Sequence, residues 1–202
     1  DFLSKRYGRS KVLHFQDGID FSVIKPIDRL VARKRLGLSK SQKVLLYAGH
    51  FASNKPAKTL LSIYPELHSR GIEVYFVGGF SSHDLYSEIK NTVPTSFDRM
   101  PIKDLILYYS AADIHVYPSD DLNFTKFSSI ANANIEALAC DTPIYTSQLD
   151  HFLGSNREQA SVGINCHLVK NKSKVVQDLL EMFDNLDTYK NCREIAKKYY
   201  DR

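Results

Sequence analysis

The chain has 202 residues, of which 43% are hydrophobic and 25% charged, with 9 Gly and 7 Pro. That composition fits one folded domain and excludes a disordered, collagen-like or low-complexity chain. The net charge of +4 conceals an asymmetry: residues 1–58 hold 13 Lys/Arg against 4 Asp, and the remainder 14 Lys/Arg against 19 acidic residues.

In chain order, apolar runs alternate with amphipathic stretches. Residues 11–15 read as a short strand closed by Asp17-Gly18, and 29–36 as a helix ending at Gly37. Residues 43–48 form a buried strand ending at Gly49. A helix follows over 57–70, disturbed at Pro65 and stopped by Gly71. The next strand, 72–77, ends at Gly78-Gly79, and 82–91 is helical. A short strand at 95–97 leads to a helix at 101–112 with Pro101 in its first turn. Residues 113–117 form a strand, 128–140 a helix with Ser128 at its N-cap, 143–146 a strand and 163–169 a weaker one. Helices at 174–186 and 191–200 close the chain.

Repeated strand–helix alternation predicts an α/β fold. The expected architecture is a single Rossmann-like, doubly wound domain over 1–202, with a mostly parallel sheet and helices on both faces. Ligands of such folds bind at the carboxyl ends of strands, here the loops after Tyr47, Val77, Tyr117 and Thr146. No apolar run approaches the ~20 residues of a membrane helix. No apolar core follows the first charges, so no signal peptide is expected, and the missing initiator Met predicts a piece of something longer. Cys140, Cys166 and Cys192 form no CxxC pair, which argues against a disulfide framework or zinc site and for reduced thiols in a cytoplasmic protein. The basic first quarter suits a phosphate-bearing partner, and leaves peripheral membrane contact open. Nothing resembles a nucleic-acid signature.

Three strand ends carry suitable chemistry. After Tyr47, Gly49 permits close approach of a ligand, and His50 and Lys55 are placed to reach one anion beside a helix start near Pro56. This is not a phosphate-binding loop of the GxxxxGK[ST] type. Gly78-Gly79 suits close ligand passage or a tight turn. The helix opening at Ser128-Ser129 offers amides to a phosphate, and Glu136, about 12 Å along its axis at 1.5 Å per residue, is a carboxylate on an apolar helix. It needs a partner there, and a pair of ligand hydroxyls would serve.

The segments HFQDGIDFSVIKP (14–26), LLYAGHFASNK (45–55), VYFVGGF (74–80), LILYYSAADIHVYPS (105–119) and NIEALACDTPIYTS (134–147) lie in the order and spacing of one family. The chain resembles the C-terminal, donor-binding half of GT-B glycosyltransferases of family 4, or group 1, which are retaining enzymes. The resemblance implies transfer of a hexose-type sugar from a UDP-, GDP- or ADP-linked donor to an acceptor hydroxyl on a glycan, lipid or small molecule. It implies no metal and no cofactor beyond the donor, and an acceptor domain preceding residue 1. This chain alone is then expected to be inactive. Residue by residue, Lys55 matches the lysine that neutralises the diphosphate and His50 takes the place of its arginine partner. Glu136 matches the glutamate that holds the ribose. Arg99 and Met100 match the loop near the base, and Ile130, Ala131 and Asn132 the amides that meet the phosphates.

Three positions depart from the family pattern. Ser128 stands where the first glutamate of Glu-x7-Glu falls, Ala131 where a glycine falls, and His50 where arginine falls. They raise the alternatives of a catalytically degraded nucleotide-binding module or a nucleotide-sugar epimerase of the same fold. A flavodoxin-like interaction domain without nucleotide is the remaining one.

Overall fold

The computed structural model describes residues 18–52, 56–80, 83–121, 131–147, 155–166 and 169–201. The strand expected at 11–15 lies outside them. The elements are α1 (Arg29–Arg35), β1 (Lys43–Phe51), α2 (Pro56–Ser69), β2 (Ile72–Phe80), α3 (His83–Thr92), β3 (Ser96–Asp98), α4 (Ile102–Ala111), β4 (Ile114–Tyr117), α5 (Asn132–Ala139), β5 (Ile144–Thr146), α6 (Asn156–Val162), β6 (Gly163–Asn165), α7 (Lys172–Asp184) and α8 (Cys192–Tyr200).

All six strands run parallel in the order β3-β2-β1-β4-β5-β6. The order reverses between β1 and β4, which creates a crevice at their carboxyl ends. A sheet covered on both faces needs strands that are apolar throughout, and β1 supplies them alternately. Leu45, Tyr47 and Phe51 pack with Leu60, Leu67, Ile89 and Leu179 on the side of α2, α3 and α7. Val44, Leu46 and Ala48 pack with Ile106, Tyr109, Ile135, Leu138 and Tyr200 on the side of α4, α5 and α8. The doubly wound expectation is met.

The amino end of the sheet is closed by ions. Asp113, at the start of β4, accepts from Val44 N at 2.8 Å, Arg33 Nη2 at 2.7 Å and Arg29 Nη1 at 3.2 Å. Arg33 is buried and also donates to the carbonyls of Ala111 (3.0 Å) and Lys40 (2.7 Å). A buried charge pair persists only when its hydrogen-bonding capacity is filled, as here. Arg193 of α8 donates to the carbonyls of Ala139, Ile24 (2.6 Å) and Phe21 (2.6 Å), fastening residues 21–24 to the end of α5.

Several boundaries differ from expectation for identifiable reasons. β1 and β2 continue through Gly49-His50-Phe51 and Gly78-Gly79-Phe80, which pair in register. The glycines are therefore strand residues, not turns. A Cβ at Gly78 would lie 1.9 Å from Gly49 O and 2.6 Å from Phe51 Cε1, so glycine is required there by packing within the sheet. Helix α2 runs unbroken through Pro65, because Leu60, Leu61, Ile63, Tyr64 and Leu67 are all buried along it and outweigh a local cost of about 3 kcal/mol. Helix α5 opens at Asn132 with Ala131 as N-cap, not at Ser128, which lies outside the described residues. Helix α6 was not anticipated. Its capping box, Ser155 with Glu158, is nonetheless written in the sequence.

Candidate functional site

A cleft of ≈ 370 Å³ opens at the carboxyl ends of β1 and β2, against α4 and the start of α5. Of the expected site residues, Gly49, His50, Gly78, Arg99, Met100, Asn132 and Glu136 line it together. Ala131 does not; it forms the N-cap of α5 and packs toward the core instead. Lys55, Ser128 and Ile130 lie outside the described residues. Gly79, which the sequence offered together with Gly78 for close ligand passage, also lines it, and so do Ala48, Val77, Ile102, Leu105, Tyr109 and Ala133, which read in the sequence as core or helix residues.

Each wall follows from its local structure. His50 is exposed on the last turn of strand pairing, opposite Gly79, where a Cβ would meet only His50 Nδ1 at 4.0 Å. The space above Gly79 is therefore open to a ligand, whereas that at Gly78 is filled by the protein itself. Beneath His50, the buried Tyr47 donates its hydroxyl to the His50 carbonyl at 2.9 Å and stacks on Tyr117 at 5.5 Å. A Cβ at Gly49 would come 3.0 Å from that same Tyr47 oxygen. The end of β1 is thus shaped by a tyrosine underneath it.

The α5 wall presents amides and a carboxylate. Ala131 makes no side-chain cap and the first turn of α5 holds no acidic residue, so its positive end stays uncompensated by the helix's own side chains. Glu136 lies four residues from Asn132, so about 6 Å along the axis at 1.5 Å per residue, nearer the helix start than a helix beginning at Ser128 would place it. Glu136 Oε2 accepts from Tyr109 Oη at 2.9 Å. Burial raises the Glu136 carboxyl above its usual range, and the phenol's donation opposes that rise. Tyr109, fully buried, is pushed well above an ordinary phenol by burial and by the neighbouring Glu136 charge. Below it the buried His115 stands edge-on to the Tyr109 ring at 5.6 Å, with its pKa pressed down to about 3 by burial. It is neutral at physiological pH.

The arrangement brings a helix start, Arg99, His50 and a half-satisfied carboxylate to the walls of one cleft. It suits an anion joined to a group that donates hydroxyl hydrogens. Burial pushes the Cys140 and Cys192 thiols up to about 12 and Cys166 to about 11, and all three are free. Among the described residues no helix is long and apolar enough to cross a membrane, and no cluster of three or more His, Cys, Asp or Glu is arranged for a metal ion.

Comparison with known proteins bears on this geometry. Among curated relatives, a D-inositol 3-phosphate glycosyltransferase of Thermobispora bispora is 30% identical over 144 residues, 63% of this chain and 32% of that protein. The match therefore spans about a third of that relative's length. Sucrose-phosphate synthase from Thermosynechococcus elongatus superposes with a TM-score of 0.77 at 18% identity, covering 99% of this chain and 52% of that one. Anabaena HepE in complex with UDP and glucose superposes with a TM-score of 0.69 at 14% identity, covering 98% and 55%. At such identities the two structures speak for the fold alone. The family model described as "Glycosyl transferases group 1" matches residues 42–185. The chain belongs to that family, and its parallel sheet with helices on both faces is the fold of a C-terminal GT-B glycosyltransferase domain.

Proposed function

We propose that this chain is the single donor-binding domain of a retaining glycosyltransferase, and that its cleft takes a nucleoside diphosphate sugar. The observation that carries the reading is the convergence of Gly49, His50, Arg99, Asn132 and Glu136 on one cleft at the strand-order reversal. In this reading the diphosphate lies against the start of α5, with Lys55 proposed to neutralise it and His50 to donate a hydrogen bond to it. The ribose hydroxyls donate to Glu136, and the base lies near Arg99 and Met100. The UDP in the HepE complex supports UDP as a first probe, with GDP and ADP beside it.

The proposed chemistry follows from charge. The bond from the sugar's anomeric carbon to the diphosphate oxygen breaks, and a bond from that carbon to the acceptor oxygen forms on the same face. The acceptor's proton leaves with the diphosphate. Negative charge grows on the leaving group, so preorganised cations and amides aimed at it lower the barrier. Lys55, His50 and the α5 amides supply that role without a metal ion. A hexose-type sugar is the proposed cargo, and the acceptor is proposed to be held by another domain facing the cleft. Ser128 and His50, in place of the family's glutamate and arginine, favour a second reading in which nucleotide is bound but transfer is lost.

A thermal-shift panel of UDP, GDP, ADP and their hexose conjugates tests this, because a ligand that binds only the folded state raises the melting temperature. The proposal expects one nucleotide series to raise it, and nucleotide release in the presence of acceptor hydroxyls with the full-length protein. Binding without release selects the second reading. No shift with any of them refutes both.

A further inference from the structure

We infer that Tyr109 is a positioning residue that fixes Glu136, so that the pair selects a ribose over a deoxyribose. This rests on the reading of the cleft as a nucleoside diphosphate site. The phenol of Tyr109 lines the cleft from α4, yet its residue is wholly buried. It is held from three sides. Its ring meets His115 edge-on, its carbonyl accepts from Thr142 Oγ1 at 2.7 Å, and its hydroxyl donates to Glu136 Oε2 at 2.9 Å. Among the described residues that donation is the only hydrogen bond made by the Glu136 carboxyl, so Oε1 is left for a ligand.

Two consequences follow. A free glutamate side chain surrenders rotamer freedom when it binds, and tying one oxygen in advance removes part of that cost. The same donation opposes the effect of burial on the carboxyl and so favours its charged, accepting form. An ionised carboxylate only accepts, so it rewards a ligand with a vicinal diol and gains less from one lacking the 2′-hydroxyl. Among the described residues the donor to the Glu136 carboxyl is Tyr109, not His115.

Binding of UDP, GDP, ADP and their 2′-deoxy counterparts to the full-length protein between pH 6 and 8 provides the test. The expected result for Tyr109→Phe, which keeps the ring, is about tenfold weaker binding of the ribonucleotide at pH 7, as befits a hydrogen bond to a charged group. The 2′-deoxy form should change little, so selectivity shrinks. It should shrink further as the pH falls toward 6, more steeply than in the wild type, because the carboxyl takes up a proton more readily without its donor. Glu136→Gln should lower selectivity and abolish its pH dependence, and adding Tyr109→Phe to it should change selectivity no further. Equal losses for both ligand forms, or an unchanged pH profile in Tyr109→Phe, would overturn the inference while leaving the cleft assignment intact. Failure of the wild type to bind any of the three nucleotides would overturn the cleft assignment itself, before any substitution is made.

Discussion

At the amino end of β1 and β4, Asp113 sits under cover with two guanidinium groups and a backbone amide on its oxygens. At the carboxyl end, Glu136 sits half under cover with a single phenol. Both carboxylates are taken partly out of water, which is costly for a charge without partners. The first finds all its partners within the chain, and its surroundings are closed. The second has one oxygen served and opens on a cleft. The contrast separates a group that holds the fold from one that waits for something to bind, although both lie on apolar stretches of sequence.

The largest effect expected from breaking this contrast is at the closed end. Asp113→Ala leaves Arg33 buried without its counter-charge and should cost about 3–5 kcal/mol of stability, read by denaturant unfolding. It should not change the relative affinities for UDP and uridine. Next comes the interior beneath the cleft. His115 is neutral in the folded chain, with a pKa of about 3, and ordinary when unfolded, near 6.5. Between those values the unfolded state binds more protons, so the stability present above pH 6.5 is lost as the pH falls toward 3, by a few kcal/mol in all. His115→Phe should flatten that acid limb in melting curves taken from pH 7 to 4.

Gly78 sharpens the comparison from the other side, since it borders the cleft but serves packing. Gly78→Ala should destabilise by about 1–3 kcal/mol or more through overpacking, and its binding loss should track its unfolding. Glu136→Gln keeps an acceptor for Tyr109 and should move stability by less than about 1 kcal/mol, while costing about 1.5–3 kcal/mol of ribonucleoside diphosphate affinity. Smallest in stability, and selective in binding, is Lys55→Ala. Calorimetry should find that it weakens UDP more than uridine; equal losses would remove Lys55 from the diphosphate.

Much of this was legible in the sequence. The continuous apolar run Val44–Tyr47 and the helical spacing after it announce a parallel sheet covered on both faces, and the structure has one. Gly49, His50 and Glu136 stand out by their places after a strand or on an apolar helix, Arg99 and Met100 only through the family resemblance, and the five share one cleft. What the sequence hid was mostly a matter of neighbours. Gly78 reads as a turn because its clash with Gly49 O exists only once β1 and β2 are paired. Tyr109 reads as core because nothing local tells a packed phenol from one that reaches a carboxylate 27 residues later. Ser128 reads as a cap and lies outside the described residues, while the described helix opens at Asn132 behind Ala131, which has no side-chain cap for a sequence rule to find. Helix α6 is legible in Ser155 and Glu158 but buries only Val162, so it carries no apolar pattern to announce it.

The central claim is that the open end of the sheet holds a nucleoside diphosphate. The most direct measurement is a structure of the full-length protein with whichever of UDP, GDP or ADP raises its melting temperature most. The account predicts the diphosphate against the first turn of α5, the ribose hydroxyls on Glu136 and the base beside Arg99 and Met100. A nucleotide bound elsewhere, with Glu136 touching only Tyr109, would contradict it.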